Sequence, residues 1–236
     1  MRNSSALSRV WAVIPAAGKG SRMGGGMPKQ YLPLLGRTVL EHTVARLANH
    51  PRVAGVVLVL AAGDAWWPTI ASNLPSVQTT LGGVERCHSV LNGLRALTAA
   101  HANDWVLVHD AARPCLRATD IDRLLDELQD SPCGGLLALP VRDTLKRCTD
   151  NGAIESTVDR ARLWHALTPQ MFRLGALRGA LENALMTGLL VTDEAQAIEF
   201  AGGIPRVIEG SGDNLKITRP EDLKLAELFL LAQPPH

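Results

Sequence analysis

Short apolar runs alternate with stretches of helical spacing along almost the whole chain. Val10 to Ile14, closed by Pro15, reads as a buried strand running into a loop. The same reading fits the β-rich run Val53 to Leu60, residues 77 to 80, Trp105 to His109, Gly134 to Pro140 and Arg206 to Ile208. Between them, Thr38-Val-Leu-Glu41 forms a capping box that opens a helix to about Asn49. His88 to Ala100 has helical spacing, and Thr119 to Gln129 reads as a capped helix with Leu124, Leu125 and Leu128 on its apolar side. Further helices are expected near 174 to 187 and 193 to 201, with a final one behind Thr218-Arg-Pro-Glu221, again a capping box with proline in the first turn. Strands alternating with helices predict an α/β chain whose mainly parallel sheet is covered on both faces.

The pattern breaks between about Val141 and Thr168. Charged residues, Thr-rich alternation and Asp150-Asn151-Gly152 suggest a hairpin leaving the compact body, with Thr144 to Arg147 and Thr157 to Arg160 as its arms. A lone two-stranded arm is marginally stable in water, so a second copy of the chain is its simplest support, and a homodimer is expected.

The loop behind the first strand carries the most chemistry. Glycines at 18, 20, 24, 25 and 26 leave backbone N–H groups open to phosphate oxygens, while Arg22 and Lys29 add a planar fork and a point charge. Two familiar glycine loops are excluded. No register of residues 18 to 30 supplies Gly, four residues, then Gly-Lys-Ser/Thr, and a dinucleotide fingerprint counted from Gly18 and Gly20 meets Met23 where a third glycine belongs. The residues suit phosphoryl or nucleotidyl transfer.

Composition narrows the setting. The 236 residues suffice for one sizeable domain, 1–236, with an arm at about 141–168, and are too few for two full ones. A formal net charge of +1 provides no global field for nucleic acid or an acidic membrane, so an anion must be met locally. Cys87, Cys115, Cys133 and Cys148 show neither metal-ligand nor disulfide spacing and fit a reducing cytoplasm. The N-terminal apolar run is too short for a signal peptide, and no membrane-spanning run is expected.

Two more loops fall at strand ends, the side where open α/β sheets bind ligands. Gly82-Gly-Val-Glu-Arg-Cys-His-Ser89 permits close backbone approach, and Ser89 is read either as a base or ribose contact or as an ordinary N-cap. His109-Asp-Ala-Ala-Arg-Pro114 places a carboxylate and a guanidinium where they could position a metal-bound phosphate, or simply pair.

The order of these segments resembles the 2-C-methyl-D-erythritol 4-phosphate cytidylyltransferase family, within the wider sugar nucleotidyltransferases. The resemblance rests on Pro15-Ala-Ala-Gly-x-Gly-x-Arg-Met23, Pro28-Lys-Gln-Tyr31, Gly82-Gly83 with Arg86 and Ser89, and Val108-His-Asp-Ala-Ala-Arg-Pro114. It continues through Pro140 to Arg147, Thr157-Val-Asp-Arg160, Leu163 to Gln170, Thr192-Asp-Glu-Ala195 and Asn214 to Pro220. The implied fold is α/β, a Rossmann-like, mainly parallel twisted sheet with helices on both faces and a projecting β-hairpin arm for dimerisation.

The resemblance also implies roles. CTP and methylerythritol phosphate are the substrates, with a divalent cation, magnesium, as cofactor. Arg22, Lys29, Arg160 and Lys216 are the catalytic candidates; Pro15, Ala16, Ala17, Gly18, Gly20, Gly83 and Ser89 hold the nucleotide. Asp110, Arg113, Thr144, Thr168 and Thr192 surround the second substrate, Asp110 doubles as the candidate metal ligand, and the arm crosses so that Thr144 and Arg160 serve the partner's site. Val84 departs from the family, where an acidic residue can follow the glycine pair, and Lys19 sits unusually inside the loop. The alternatives are a cytidylyltransferase for another polyol phosphate, such as ribitol 5-phosphate, or a non-catalytic nucleotide-binding module. A chain of this length is expected to catalyse one step only.

Elsewhere the plain reading is expected. His109 and His165 should be packed histidines satisfying backbone groups, Trp66 and Trp67 should cover the sheet edge, and Glu194 should be a first-turn helix residue favoured by the dipole.

Overall fold

The computed structural model describes residues 8–18 and 26–234. Gly20 and Arg22 therefore lie outside the described residues.

The chain enters on β1 (Val10–Pro15), turns through Lys29–Tyr31, and forms the short pair β2 (Pro33–Leu34) and β3 (Arg37–Thr38) before α1 (Val39–Ala48). The expected capping box is present: Thr38 Oγ1 accepts from Glu41 N at 3.2 Å, and Thr38 N donates to Glu41 Oε2 at 2.6 Å. Next come β4 (Gly55–Leu60), the single turn α2 (Trp67–Ile70), β5 (Gln78–Leu81), α3 (Arg86–Ala96), β6 (Trp105–Val108), α4 (Ala118–Leu128) and β7 (Gly135–Pro140). The hairpin β8 (Leu145–Cys148) and β9 (Ile154–Val158) follows, then β10 (Trp164–Arg173), α5 (Leu174–Met186), α6 (Glu194–Phe200), β11 (Arg206–Glu209) and α7 (Pro220–Ala232).

Seven strands form one sheet in the order β11-β7-β10-β6-β1-β4-β5. All neighbours are parallel except β10, which runs antiparallel to both β6 and β7. Strand periodicity sorts the core onto two faces. Ala12, Ile14 and Leu58 point to the layer of α1 and α4, against Leu40, Leu47, Leu124 and Leu128. Val13, Val57 and Val59 point the other way, against Val90 and Leu94 of α3 and Leu177 and Leu181 of α5. Full burial of each such Val, Leu or Ile side chain contributes about 1.5–3 kcal/mol, which makes this sandwich the fixed platform for the loops at its edge. No described helix is long and apolar enough to cross a membrane.

Four details differ from the sequence expectation. Strand β10 is an element that the sequence pattern did not suggest: Pro169 lies inside it, and the pairing with β7 shifts register between Ala166 and Gln170, where proline supplies no N–H. Because Trp164 to Ala166 pair with Pro140 to Ala138, the free arm is shorter than 141–168, with Leu145 paired to Val158 at its base. Helix α4 starts at Ala118 without a side-chain cap, since Arg117 occupies the N-cap; at α7 the N-cap is Arg219 rather than Thr218, and Asp222 at the third helical position accepts from the N–H groups of Thr218 and Arg219. His165 is exposed rather than packed, because it lies where β10 has left the covered part of the sheet. The arm's turn does use Asn151-Gly152: Gly152 has φ +84°, the left-handed conformation that glycine adopts without strain.

Candidate active site

The carboxyl ends of β1, β5 and β6 open into a cavity of about 310 Å³. Its floor is Pro15 to Gly18, the direct continuation of the central strand. Gln30 fixes that segment by donating from Nε2 to the carbonyls of Ala16 at 2.7 Å and Gly18 at 3.1 Å. On the opposite wall, Gly83 N donates to Ser89 Oγ at 3.1 Å, and Ser89 Oγ donates to Glu85 O at 3.2 Å. Ser89 is thus neither the N-cap of α3, which is Glu85, nor an open hydroxyl; it shapes the Gly83–Glu85 turn from behind. The two glycines are sterically required, since a Cβ on Gly82 would strike Ala17 and one on Gly83 would strike His88. Val84 is 93% exposed on the rim of the first cavity.

A second cavity of about 190 Å³ adjoins the first and shares Arg86, Asp110 and Lys216 with it. Its other walls include Arg113, Thr168, Gln170, Thr192 and Asp193. Asp110 stands at the junction. Its Oδ1 accepts from Arg86 Nη2 at 3.2 Å, and its Oδ2 meets Lys216 Nζ at 3.0 Å and Arg113 Nε at 3.3 Å. Burial would raise this carboxyl's pKa, but Arg86, Lys216 and Arg113 more than reverse that and hold it well below the usual carboxylate range. Arg86 is itself forked, with Nη1 at 2.6 Å and Nη2 at 3.2 Å from the carboxylate of Glu194, which is 1% exposed. Burial pushes Glu194 upward against the pull of Arg86, while burial of Arg86 is overcome by its two carboxylates, which keep it charged. Three cations and two anions therefore meet between the cavities, a net positive wall facing whatever anion enters.

His109 lies directly behind this wall, fully buried. Its Nε2 is 3.0 Å from Arg113 O, which can only accept, so Nε2 carries the proton and Nδ1 accepts from Thr168 Oγ1 at 2.9 Å. Thr168 Oγ1 in turn accepts from Asp110 N at 3.1 Å. Burial pushes the ring down to about 4, against the pull of its backbone partner, so the imidazole is neutral and both nitrogens are used. The packed role expected of His109 holds.

Pro15, Ala16, Ala17, Gly18, Lys29, Gly83, Ser89, Asp110 and Lys216 all line the first cavity, and Arg113, Thr168 and Thr192 line the second. Lys29 Nζ donates to Ile217 O at 2.8 Å. Thr144 and Arg160 line neither cavity; both are exposed on the arm, where Arg160 Nη1 donates to Arg142 O. Arg86, Gln30, Gln170 and Asp193 line the cavities although sequence reasoning left them without a site role, as it did Glu194 behind Arg86. For Glu194 the first-turn position in α6 carried no hint of a partner 108 residues away.

The donors suit a hard divalent cation in one mode only. Among the described residues no group of three His, Cys, Asp or Glu side chains can hold a metal. Asp110 is one carboxylate already facing three cations, so nucleotide phosphates would have to supply most of the shell, as is usual for magnesium.

The chain is similar to known proteins over most of its length. The family model described as IspD, 2-C-methyl-D-erythritol 4-phosphate cytidylyltransferase, matches residues 10–232. A 2-C-methyl-D-erythritol 4-phosphate cytidylyltransferase from Pseudomonas putida (strain W619) is 57% identical over 221 residues, 92% of this chain and 94% of that protein. The crystal structure of a 4-diphosphocytidyl-2C-methyl-D-erythritol synthase matches with a TM-score of 0.84 at 39% identity, covering 96% of this chain and 100% of the other. That of the Francisella tularensis 2-C-methyl-D-erythritol 4-phosphate cytidylyltransferase matches with a TM-score of 0.81 at 34% identity, over 94% of this chain and 100% of the other.

Proposed function

The chain belongs to the 2-C-methyl-D-erythritol 4-phosphate cytidylyltransferase family, and from that premise we propose how its two joined cavities carry out the transfer. The enzyme moves CMP from CTP to 2-C-methyl-D-erythritol 4-phosphate in the non-mevalonate route to isoprenoid precursors. CTP occupies the cavity floored by Pro15 to Gly18, and methylerythritol phosphate the one beside Thr168 and Thr192. An oxygen of the methylerythritol phosphate attacks the α-phosphorus in line; the new P–O bond forms as the bond to the β-phosphate oxygen breaks, and pyrophosphate leaves. The attacking phosphate is already anionic at neutral pH, so no general base is needed, consistent with a neutral His109 whose two nitrogens are occupied.

Charge stabilisation carries the chemistry. Lys29, with Arg22, stabilises the oxygens around the α-phosphorus, and Lys216, Arg86 and Arg113 hold the incoming phosphate beside it. A magnesium ion, when bound by the nucleotide phosphates near Asp110, supplies further neutralisation of phosphate charge. The arm carries Thr144 and Arg160 to the site of a second copy, making the homodimer part of the catalytic geometry; their exposure outside both cavities of their own chain supports that reading. Residues 1–236 act as one nucleotidyltransferase domain, in the cytoplasm, where the four free cysteines stay reduced.

The observation that carries this reading is the junction at Asp110, where two adjoining cavities share the same three charged side chains. Its test is pyrophosphate release from CTP and magnesium with methylerythritol phosphate or ribitol 5-phosphate. Faster turnover with methylerythritol phosphate is expected; faster turnover with ribitol phosphate would contradict it.

A further inference from the structure

Between β11 and α7 the chain runs from Ser211 to Thr218 without helix or strand, yet it touches two of the cations that face the cavities and carries a third. Asn214 O accepts from Arg113 Nη1 at 2.7 Å, Lys216 Nζ reaches Asp110, and Ile217 O accepts from Lys29 Nζ. A lysine on such a segment has four rotatable bonds and no ladder to fix its Cα, so something behind the loop must place it.

That support converges on one carboxylate. Asp213 is buried, and its Oδ2 accepts from Arg117 Nε at 2.8 Å, Arg117 Nη2 at 2.6 Å and Gln233 Nε2 at 2.8 Å. Gln233, which ends α7, is itself anchored: its Oε1 accepts from Arg46 Nη2 at 2.7 Å and its Nε2 also donates to Cys115 O at 2.9 Å. The start of α4, the end of α7 and the interior of α1 are thus tied to a single side chain three residues before Lys216. Downstream the loop is fixed again, where Ile217 N donates to Ala112 O at 2.9 Å and its side chain is fully buried.

We propose that Asp213 is a positioning residue for the transfer reaction, holding the Asn214–Ile217 segment so that Lys216 stands between the two cavities. The inference rests on the role given above to Lys216. Asp213 lines neither cavity, so its influence on the rate passes through the loop. Charge-assisted hydrogen bonds are the stronger kind, and a displacement of about 1 Å at a reacting centre can cost up to a hundredfold in rate.

The test compares Asp213→Asn, which keeps the volume and removes the charge, with Asp104→Asn. Asp104 is a second buried carboxylate, accepting from Arg9 N, Trp11 Nε1 and His101 N at the opposite end of the sheet. Asp213→Asn should lower kcat about tenfold while leaving the Kd for CTP within roughly threefold, and its crystal structure should show Lys216 more than ~4 Å from Asp110, beyond an ion pair. Asp104→Asn should lower the melting temperature with kcat within about twofold of wild type. The proposal is overturned if Asp213→Asn keeps its kcat, if kcat falls while the Lys216–Asp110 contact persists, or if Asp104→Asn loses as much activity. Should Asp213→Asn fail to fold, Arg117→Ala removes a partner of the same carboxylate from its exposed side and must lower kcat about threefold; an unchanged kcat would equally overturn it. Wild-type turnover in the same assay reports separately on the reading of the cavities.

Discussion

Lys216 and Arg160 are both catalytic candidates, yet their surroundings are opposite. Lys216 sits on a loop braced through Asp213, Asn214 and Ile217, with Asp110 opposite its ammonium. Arg160 sits exposed beyond a hairpin whose strands β8 and β9 pair only with each other, and Ile154 in β9 and Leu163 and Trp164 after it are exposed apolar side chains. The core fold determines where the first charge stands, because every group around it belongs to the same chain. The second, among the described residues, has only a local anchor, its Nη1 donating to Arg142 O. A two-stranded ribbon with exposed apolar residues needs a surface to lie on, and the proposed second copy is that surface.

The sharpest way to break this contrast is at the pocket. Lys29→Ala should lower kcat about a hundredfold or more with little change in CTP affinity, because its charge matters most as negative oxygens crowd the α-phosphorus. Equal kcat with a raised KM for CTP would reduce Lys29 to a ground-state anchor.

A smaller effect separates the two regions by pH. His109 is neutral and buried behind the wall, with its pKa pushed from 6.5 to about 4, whereas no histidine lies within the arm from Leu145 to Val158. The unfolded chain binds a proton at His109 below about pH 6.5 that the folded chain refuses until about pH 4. The stability contributed by this site is therefore present above pH 6.5 and is lost as the pH falls through that window. Melting temperature measured from pH 8 to 4 should fall there, and His109→Asn, less stable at pH 8, should show a flatter slope. An identical slope in the variant would remove His109 from the account.

Much of this was legible beforehand, for physical reasons that differ by element. β1, the capping box at Thr38 and the leucine face of α4 follow from local periodicity and local hydrogen bonding, which sequence spacing records. β10 escaped because Pro169 interrupts its pattern and because its N-terminal part is exposed while its C-terminal part is buried. The pairing of Arg86 with Glu194 escaped because tertiary contact alone brings α3 and α6 together there. Lys29 and the glycines at 82 and 83 were marked by residue chemistry. Thr144 and Arg160 were marked by resemblance, and their placement away from both cavities fits the proposed partner.

The central claim, that one chain supplies the cavities and its partner supplies Arg160, is tested most directly by mixing two inactive homodimers, Arg160→Ala and Lys29→Ala, under conditions that exchange subunits. In a mixed dimer with crossed arms, the Arg160→Ala body keeps its own Lys29 and receives Arg160 from its partner, so one site is complete and the other lacks both residues. Random exchange makes about half the dimers mixed, each with one good site, so recovery of up to about a quarter of wild-type activity is predicted. No recovery despite demonstrated exchange would mean that each arm serves its own subunit, and the crossed-arm account would be contradicted.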